Sequence, residues 1–324
     1  MPQAIRIHEH GGPEALRLEP VDPGPLGAKQ VRIRQTAIGV NFIDTYERSG
    51  LYQVPLPAVL GREAAGVVVE AGRGVTSFKA GDRVAYVSSA PGAYAAERIM
   101  DAARVVPLPA SISDQHAAAL ILKGLTAWFL LRRCHRVRRK ETILLHAAAG
   151  GVGLIALQWA TALGAKVIAV VGSDEKAGVV RSHGAAEVIV STREDLVARV
   201  RSITKNRGVP VVYDGVGKDT FYASLDCLEP RGLMVSYGNA SGAVPPIAPL
   251  ELSKRGSLFL TRPVLFHYIA KASEYARAAL ELFEIVGSGR VRAHVGQSYS
   301  LSNAAQAHRD LEARRTTGST LLIP

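Results

Sequence analysis

The segment from Thr142 to Leu163 constrains the fold more than any other stretch. Thr142-Ile-Leu-Leu-His146 is a short β-branched and apolar run, and it breaks at Ala-Ala-Ala-Gly150-Gly151-Val152-Gly153. The apolar pattern then resumes at helical spacing through Leu154-Ile-Ala-Leu-Gln-Trp-Ala-Thr-Ala-Leu163. Strand, tight turn and helix in this order aim backbone amides and the positive end of a helix at one point, which suits a diphosphate. Bare Cα positions at Gly150 and Gly151 allow a ligand close to the backbone, and Gly153 allows the helix to pack closely on the strand.

The rest of the chain extends this reading. Its 324 residues exceed what one core ordinarily holds, so two domains are expected. Residues up to about 110 read as short strands (30–36, 64–70, 83–87, 104–106) separated by Gly and Pro turns, which predicts a barrel-like β domain. A helical stretch, 115–131, opens the next region. Strands at 142–146, 166–171, 187–190, 209–213, 233–237 and 258–261 then alternate with helices at 154–163, 175–183, 195–203 and 219–228. That rhythm predicts an α/β fold with a doubly wound parallel sheet. Helices at 270–285 and 302–314 and a terminal strand at 320–323 follow.

Charge and cysteine usage narrow the function classes. The net charge of +11 favours anionic partners, either phosphorylated cofactors or nucleic acid. Its densest cluster, Arg132-Arg133-Cys134-His135-Arg136-Val137-Arg138-Arg139-Lys140, has no interleaved aromatic for base stacking and reads as a solvated loop after a helix. Two distant cysteines, Cys134 and Cys227, fit a reducing cytoplasm and neither a disulfide framework nor a thiolate metal site. No apolar signal core opens the chain, and the greasiest run, 117–131, is too short for a bilayer and carries Lys123 and Gly124.

The end of the second strand of the α/β region refines the cofactor. An NAD site usually has a carboxylate there to grip the ribose 2′-hydroxyl. This chain has Gly172, then Ser173 and Lys176, which suit a 2′-phosphate and hence NADPH. Asp174 and Glu175 run against that assignment unless they serve the helix dipole. A second strand ends in Val235-Ser236-Tyr237-Gly238-Asn239, where Tyr237 reads equally as a groove residue or a packed aromatic.

Several motifs carry a family resemblance that runs end to end. Asn41-Phe-Ile-Asp44-Thr-Tyr46, Leu60-Gly-Arg-Glu-Ala-Ala-Gly66, Ala80-Gly-Asp-Arg-Val84, Leu122-Lys-Gly-Leu-Thr126, the glycine turn and Arg231-Gly-Leu-Met-Val-Ser236 are among them. Together they resemble the zeta-crystallin-like quinone oxidoreductases of the medium-chain dehydrogenase/reductase superfamily. The resemblance implies a β-rich, GroES-like catalytic domain from residues 1–124 and 264–324, with a Rossmann domain, 125–263, inserted between. It implies Asn41 and Thr126 near the nicotinamide, Gly150, Gly151, Val152 and Gly153 at the diphosphate, and Gly172, Ser173 and Lys176 at the adenosine phosphate. Tyr237, Gly238, Arg262 and Arg314 would line the remaining groove, and a homodimer would form through the sheet edge near 258–264. At the adenine, relatives carry an aromatic where this chain has Ser191, which predicts weaker stacking.

The same comparison predicts that no metal is used. Zinc-dependent members ligate with a cysteine near position 41 and a histidine before the motif's glutamate; this chain has Asn41 and Arg62. His8 and His10, read as one exposed strand face, and His146, read as packed, do not replace those ligands. Without a Lewis acid, a quinone or an activated alkene suits the chain better than a simple ketone, because the developing negative charge is delocalised. Asn41, Asp44, Tyr46 and Tyr52 are the residues that the resemblance offers for acceptor binding and proton supply. Each also has a structural alternative: a turn residue for Asn41, a helix cap for Asp44 and interfacial packing for the tyrosines. The expected activity is NADPH-dependent quinone reduction, with enone reduction as the alternative. Binding of AU-rich RNA through residues 132–140 is an alternative of a different class.

Overall fold

Six apolar runs become six parallel strands, because strands buried on both faces need near-continuous Val, Ile and Leu. In the computed structural model, which describes all residues 1–324, their order is Glu187–Val190, Lys166–Val171, Thr142–Leu145, Val209–Asp214, Leu228–Ser236 and Phe259–Thr261. All five neighbouring pairs are parallel. Numbered along the unit this is order 3-2-1-4-5-6, the doubly wound arrangement, with its switch point between Thr142–Leu145 and Val209–Asp214. Leu144, Ile168, Val212 and Met234 fill its core.

A second, seven-stranded sheet forms the β-rich unit around the long strand Gln30–Val40. That strand pairs antiparallel with Glu63–Ala71, with Glu97–Asp101 and with the C-terminal strand Ser319–Ile323. The chain's end thereby closes onto its beginning, over a core that includes Ile33, Ile38, Val68 and Tyr86. A three-stranded sheet, Arg17–Pro20, Gln3–Ile7 and Ala58–Val59, completes the unit.

The chain divides into Met1–Leu125 with Ile269–Gly287 and Ala293–Pro324, and Thr126–Tyr268 with Ser288–Arg292. Two short segments expected in the β-rich domain thus cluster with the parallel sheet, and side chains explain both. Tyr268 stacks on Phe129 at 4.8 Å between centroids and meets Cys134 Sγ at 3.2 Å. The Gln158 amide brackets Arg292, accepting from its N–H at 3.0 Å and donating to its carbonyl at 3.1 Å.

Other boundaries also shift. The long helix is Asp114–Phe129, and its end widens into a turn in which His135 N–H donates to Leu130 O. The strand expected at 104–106 is Val105–Pro107, and the helix expected at 302–314 is Ala304–Glu312. The first strand ends at Ile7, so His8 and His10 share no strand face. His8 pairs with Glu19 at 2.6 Å, and half-buried His10 meets the Glu47 carbonyl at 3.0 Å.

Candidate active site

The glycine turn stands at the carboxyl end of strand Thr142–Leu145, on the switch point. Gly150 caps helix Gly151–Ala162, and its carbonyl accepts from Leu154 N at 2.8 Å. No side chain caps this helix, so helical geometry leaves the amides of Gly151, Val152 and Gly153 as outward donors. A Cβ on Gly153 would overlap the backbone of Ala147 and Ala148, so that glycine serves the packing of turn on helix. At Gly150 a Cβ would stand 3.2 Å from Ala147 O, a tight fit in which the bare Cα keeps the approach open. Such a cradle of amides at a positive helix end fits a diphosphate.

Beneath the turn, His146 is buried and its pKa is pushed down by loss of solvent. Ser224 Oγ donates to Asp214 Oδ2 at 2.8 Å, so its remaining contact, at 3.0 Å, accepts from His146 Nε2–H. These residue types resemble a hydrolytic triad, but the serine proton points at the aspartate. The cluster braces the switch point.

The candidate ribose end is the turn after strand Lys166–Val171. Ser173 caps helix Asp174–Ser182 by accepting from Lys176 N at 3.3 Å. A Cβ added to Gly172 would meet nothing within 4 Å, so no protein atom explains the missing side chain. Open space beside a capped helix start, with a hydroxyl and an ammonium on it, fits a 2′-phosphorylated ribose. Exposed Ser191 stands beside this turn, its Oγ donating to Val171 O at 3.2 Å, and presents no ring to an adenine.

Tyr237, Gly238 and Arg262 also come together. Arg262 Nη1 donates to the carbonyls of Ser236 at 2.9 Å and Gly238 at 3.0 Å, and the Tyr237 ring lies over Gly215. Thr126 is nearly buried on the long helix, whereas Arg314 is exposed in the tail of the β-rich unit. The basic segment 132–140 is mostly exposed and pinned by buried Val137. Within it, the Arg133 guanidinium lies over the ring of Trp128, which is itself buried.

In the β-rich unit, Asn41 links strand Gln30–Val40 to helix Phe42–Arg48 and caps that helix. Its amide Nδ2 donates to Glu63 Oε1 at 2.8 Å, and Lys123 Nζ donates to the same oxygen at 2.6 Å. The other oxygen, Oε2, accepts from Leu122 N at 2.6 Å. Glu63 is wholly buried and Lys123 nearly so; Gly39 leaves the room, since a Cβ there would overlap the carboxylate. Glu63 and Lys123 were absent from the sequence-based site, although a lone charge inside the apolar run 117–131 is a signal, because buried charges need partners.

Asp44 is fully buried: Oδ2 accepts from Asn41 N at 2.8 Å and from Tyr94 OH at 2.9 Å, while Oδ1 has no partner. Desolvation, reinforced by Glu47, pushes its pKa up to about 7. Tyr94 OH also meets His308 Nε2 at 3.0 Å, and Arg48 donates to His308 Nδ1 at 3.1 Å. An arginine only donates, so Nδ1 is the acceptor and the chain of donors runs Arg48, His308, Tyr94, Asp44. Burial, aided by Arg48, pulls His308 down to about 3. Tyr46 packs edge-on against half-exposed Tyr52 at 5.3 Å, with Phe42 6.2 Å from Tyr46.

The residues at the two zinc-ligand positions do not fit a metal. Arg62 is a permanent cation whose donors go to Glu47 and to the carbonyls of Ser88 and Ser89. Asn41 is committed to Glu63 as above. No group of three or more His, Cys, Asp or Glu side chains converges anywhere in the chain.

Two family models match: an alcohol dehydrogenase GroES-like domain over residues 27–110 and a zinc-binding dehydrogenase over 151–284. A quinone oxidoreductase of Pseudomonas aeruginosa is 49% identical over the full length of both chains. The crystal structure of Escherichia coli quinone oxidoreductase complexed with NADPH superposes with a TM-score of 0.97 at 50% identity, covering 99% of this chain and 100% of that one. A 2-haloacrylate reductase from Burkholderia is 45% identical over 100% of this chain and 99% of its own. The chain belongs to the quinone oxidoreductases, the zeta-crystallin-like branch of the medium-chain dehydrogenase/reductase superfamily.

Proposed function

We propose that this protein is an NADPH-dependent quinone reductase that works without a metal. The observation that carries the reading is the pair of phosphate-ready turns: uncapped amides at Gly151–Ala162, and Gly172, Ser173 and Lys176 where an NAD site has its carboxylate. Gly150, Gly151 and Val152 hold the diphosphate, Gly153 shapes the turn, and Gly172, Ser173 and Lys176 receive the 2′-phosphate. Thr126, Tyr237, Gly238, Arg262 and Arg314 contribute to the rest of the cofactor site.

NADPH supplies a hydride when bound. The chain's own task is to orient and to keep water out. Asn41, fixed through Glu63, offers a positioned amide for the nicotinamide or an acceptor carbonyl. Tyr46 and Tyr52 form an aromatic wall suited to a flat ring, and Tyr52, the more exposed, is the proton donor candidate. Asp44, sealed from solvent, supports Asn41 and carries no reaction step.

Identity to the 2-haloacrylate reductase favours activated alkenes as a second acceptor class. Steady-state oxidation of NADPH and NADH against a naphthoquinone and a short enone tests both readings. A lower KM for NADH, or no turnover with any quinone, overturns the first. Stoichiometric zinc in the purified protein overturns the metal-free assignment. The exposed edge, with Phe259 62% and Val264 43% accessible, supports a homodimer through strand Phe259–Thr261. A monomer in sedimentation analysis removes that proposal. Both cysteines are unpaired, which supports a cytoplasmic protein, and no helix is long and apolar enough to cross a membrane.

A further inference from the structure

The ribose end holds a conflict of charge. Ser173 and Lys176 favour a phosphate dianion, yet Asp174 follows Ser173 directly and is exposed. A bare carboxylate there would repel a 2′-phosphate and favour a 2′-hydroxyl instead. The structure resolves the conflict from the neighbouring strand. Residues 191–193 leave the end of Glu187–Val190 and lie against the Gly172 turn. Ser191 N donates to Val171 O at 2.9 Å, and Thr192 Oγ1 donates to Gly172 O at 3.3 Å.

Held by these bonds, Arg193 places Nη2 2.7 Å from Asp174 Oδ1. The Arg193 side chain is 58% exposed, and the bond to Asp174 engages Nη2 alone. Glu194, the adjacent carboxylate, is already engaged: Oε1 accepts from Val190 N at 2.8 Å and Oε2 pairs with Arg199 Nε at 2.9 Å. One arginine therefore cancels the wrong-signed charge at this turn and keeps donors in hand beside the space left by Gly172.

We propose that Arg193 is a specificity-determining residue for the phosphorylated cofactor. It neutralises Asp174 and turns its remaining guanidinium donors to the 2′-phosphate, for which an arginine's planar fork is well matched. This rests on assigning Gly172, Ser173 and Lys176 to the 2′-phosphate end. The pair has little to do with folding, since exposed ion pairs contribute little to stability.

Calorimetric titration of the full-length protein with NADPH and with NADH tests the inference without turnover. Wild type should bind NADPH the more tightly. Arg193→Ala should raise the NADPH Kd about tenfold, equivalent to about 1.4 kcal/mol, and leave the NADH Kd within about twofold. Adding Asp174→Asn to Arg193→Ala should recover part of the loss, because the exposed carboxylate goes with it. An unchanged NADPH Kd in Arg193→Ala, or equal weakening for both cofactors, overturns the role of Arg193 and leaves the 2′-phosphate assignment standing. A wild-type protein that does not favour NADPH overturns both.

Discussion

Removing the Lys123 ammonium should cost the β-rich unit far more than any surface charge, and the geometry sets the amount. Glu63 Oε1 receives Lys123 Nζ at 2.6 Å and Asn41 Nδ2 at 2.8 Å, and no part of the carboxylate reaches solvent. In Lys123→Met the methylenes are nearly conserved, but the carboxylate keeps two neutral donors and loses its counter-ion. Breaking a buried pair from one side costs about 3–5 kcal/mol, because an uncompensated charge stays in low dielectric. Glu63→Gln leaves the ammonium stranded and turns an amide N–H2 towards a donor, at similar cost. The double variant strands neither charge, so its loss should fall short of the sum by about 3 kcal/mol. Both tryptophans, Trp128 and Trp159, lie in the other unit, so unfolding should be followed by circular dichroism in urea. An m-value equal to wild type shows that the same surface unfolds. Additive losses, or a Lys123→Met cost below about 1 kcal/mol, would refute the claim that this pair is buried and mutually dependent.

Asp44 and His308 should pull stability in opposite directions with pH. Asp44, raised from 3.8 to about 7, binds its proton more tightly in the folded chain, so its contribution is present below about pH 4 and is lost as pH rises through 7. His308, lowered from 6.5 to about 3, stays neutral when folded, so its contribution is present above about pH 6.5 and is lost as pH falls through 3. Asp44→Asn should expose the histidine's slope, up to about 1.4 kcal/mol per pH unit rising between pH 4 and 6; a urea-midpoint profile parallel to wild type would count against it. Gly172→Ala should keep its melting temperature, since the new methyl meets nothing, yet weaken NADPH binding measurably; unchanged affinity would mean that no ligand occupies that space. Ser191→Tyr should lower the NADPH Kd about tenfold by giving adenine a ring to stack on, within the 1–3 kcal/mol typical of base–aromatic contacts. An unchanged Kd would place the adenine elsewhere. Tyr52→Phe with full quinone turnover would leave Tyr52 a packing role only.

The parallel sheet was legible because burial on both faces writes itself as unbroken apolar runs. Strand Lys166–Val171 appears at its expected bounds, and Thr142–Leu145 is one residue shorter. The β-rich unit was less so. Strand Gln30–Val40 continues four residues beyond its expected end, because two register shifts, at Arg32/Ile33 and Gln35/Ala37, break its alternation. Helix Phe42–Arg48 left only the cap reading of Asp44 as a trace: seven residues are too few for a helical period to show. Its stability is tertiary, from Glu47 on Arg62 and from Arg48 on Glu312 at 2.7 Å.

The same division separates the glycine turns of the parallel-sheet unit from the side-chain network of the β-rich unit. A turn at a strand end leaves a contiguous trace, because its glycines and caps must be adjacent, and the turns at Gly150–Gly153 and Gly172–Ser173, to which the proposed function gives the phosphates, could be read directly. Side-chain networks leave none, because their members are brought together only by the fold. Asn41 meets Glu63 across 22 residues, Lys123 reaches Glu63 across 60, and Tyr94 meets His308 across 214. Asp174 shows the consequence: in sequence it argues against NADPH unless it serves the helix dipole, and its pairing with Arg193, 19 positions on, is visible only in the fold. On the proposed assignment, cofactor preference is a property of two adjacent strand ends, and a fingerprint read along one of them meets half of the charge balance.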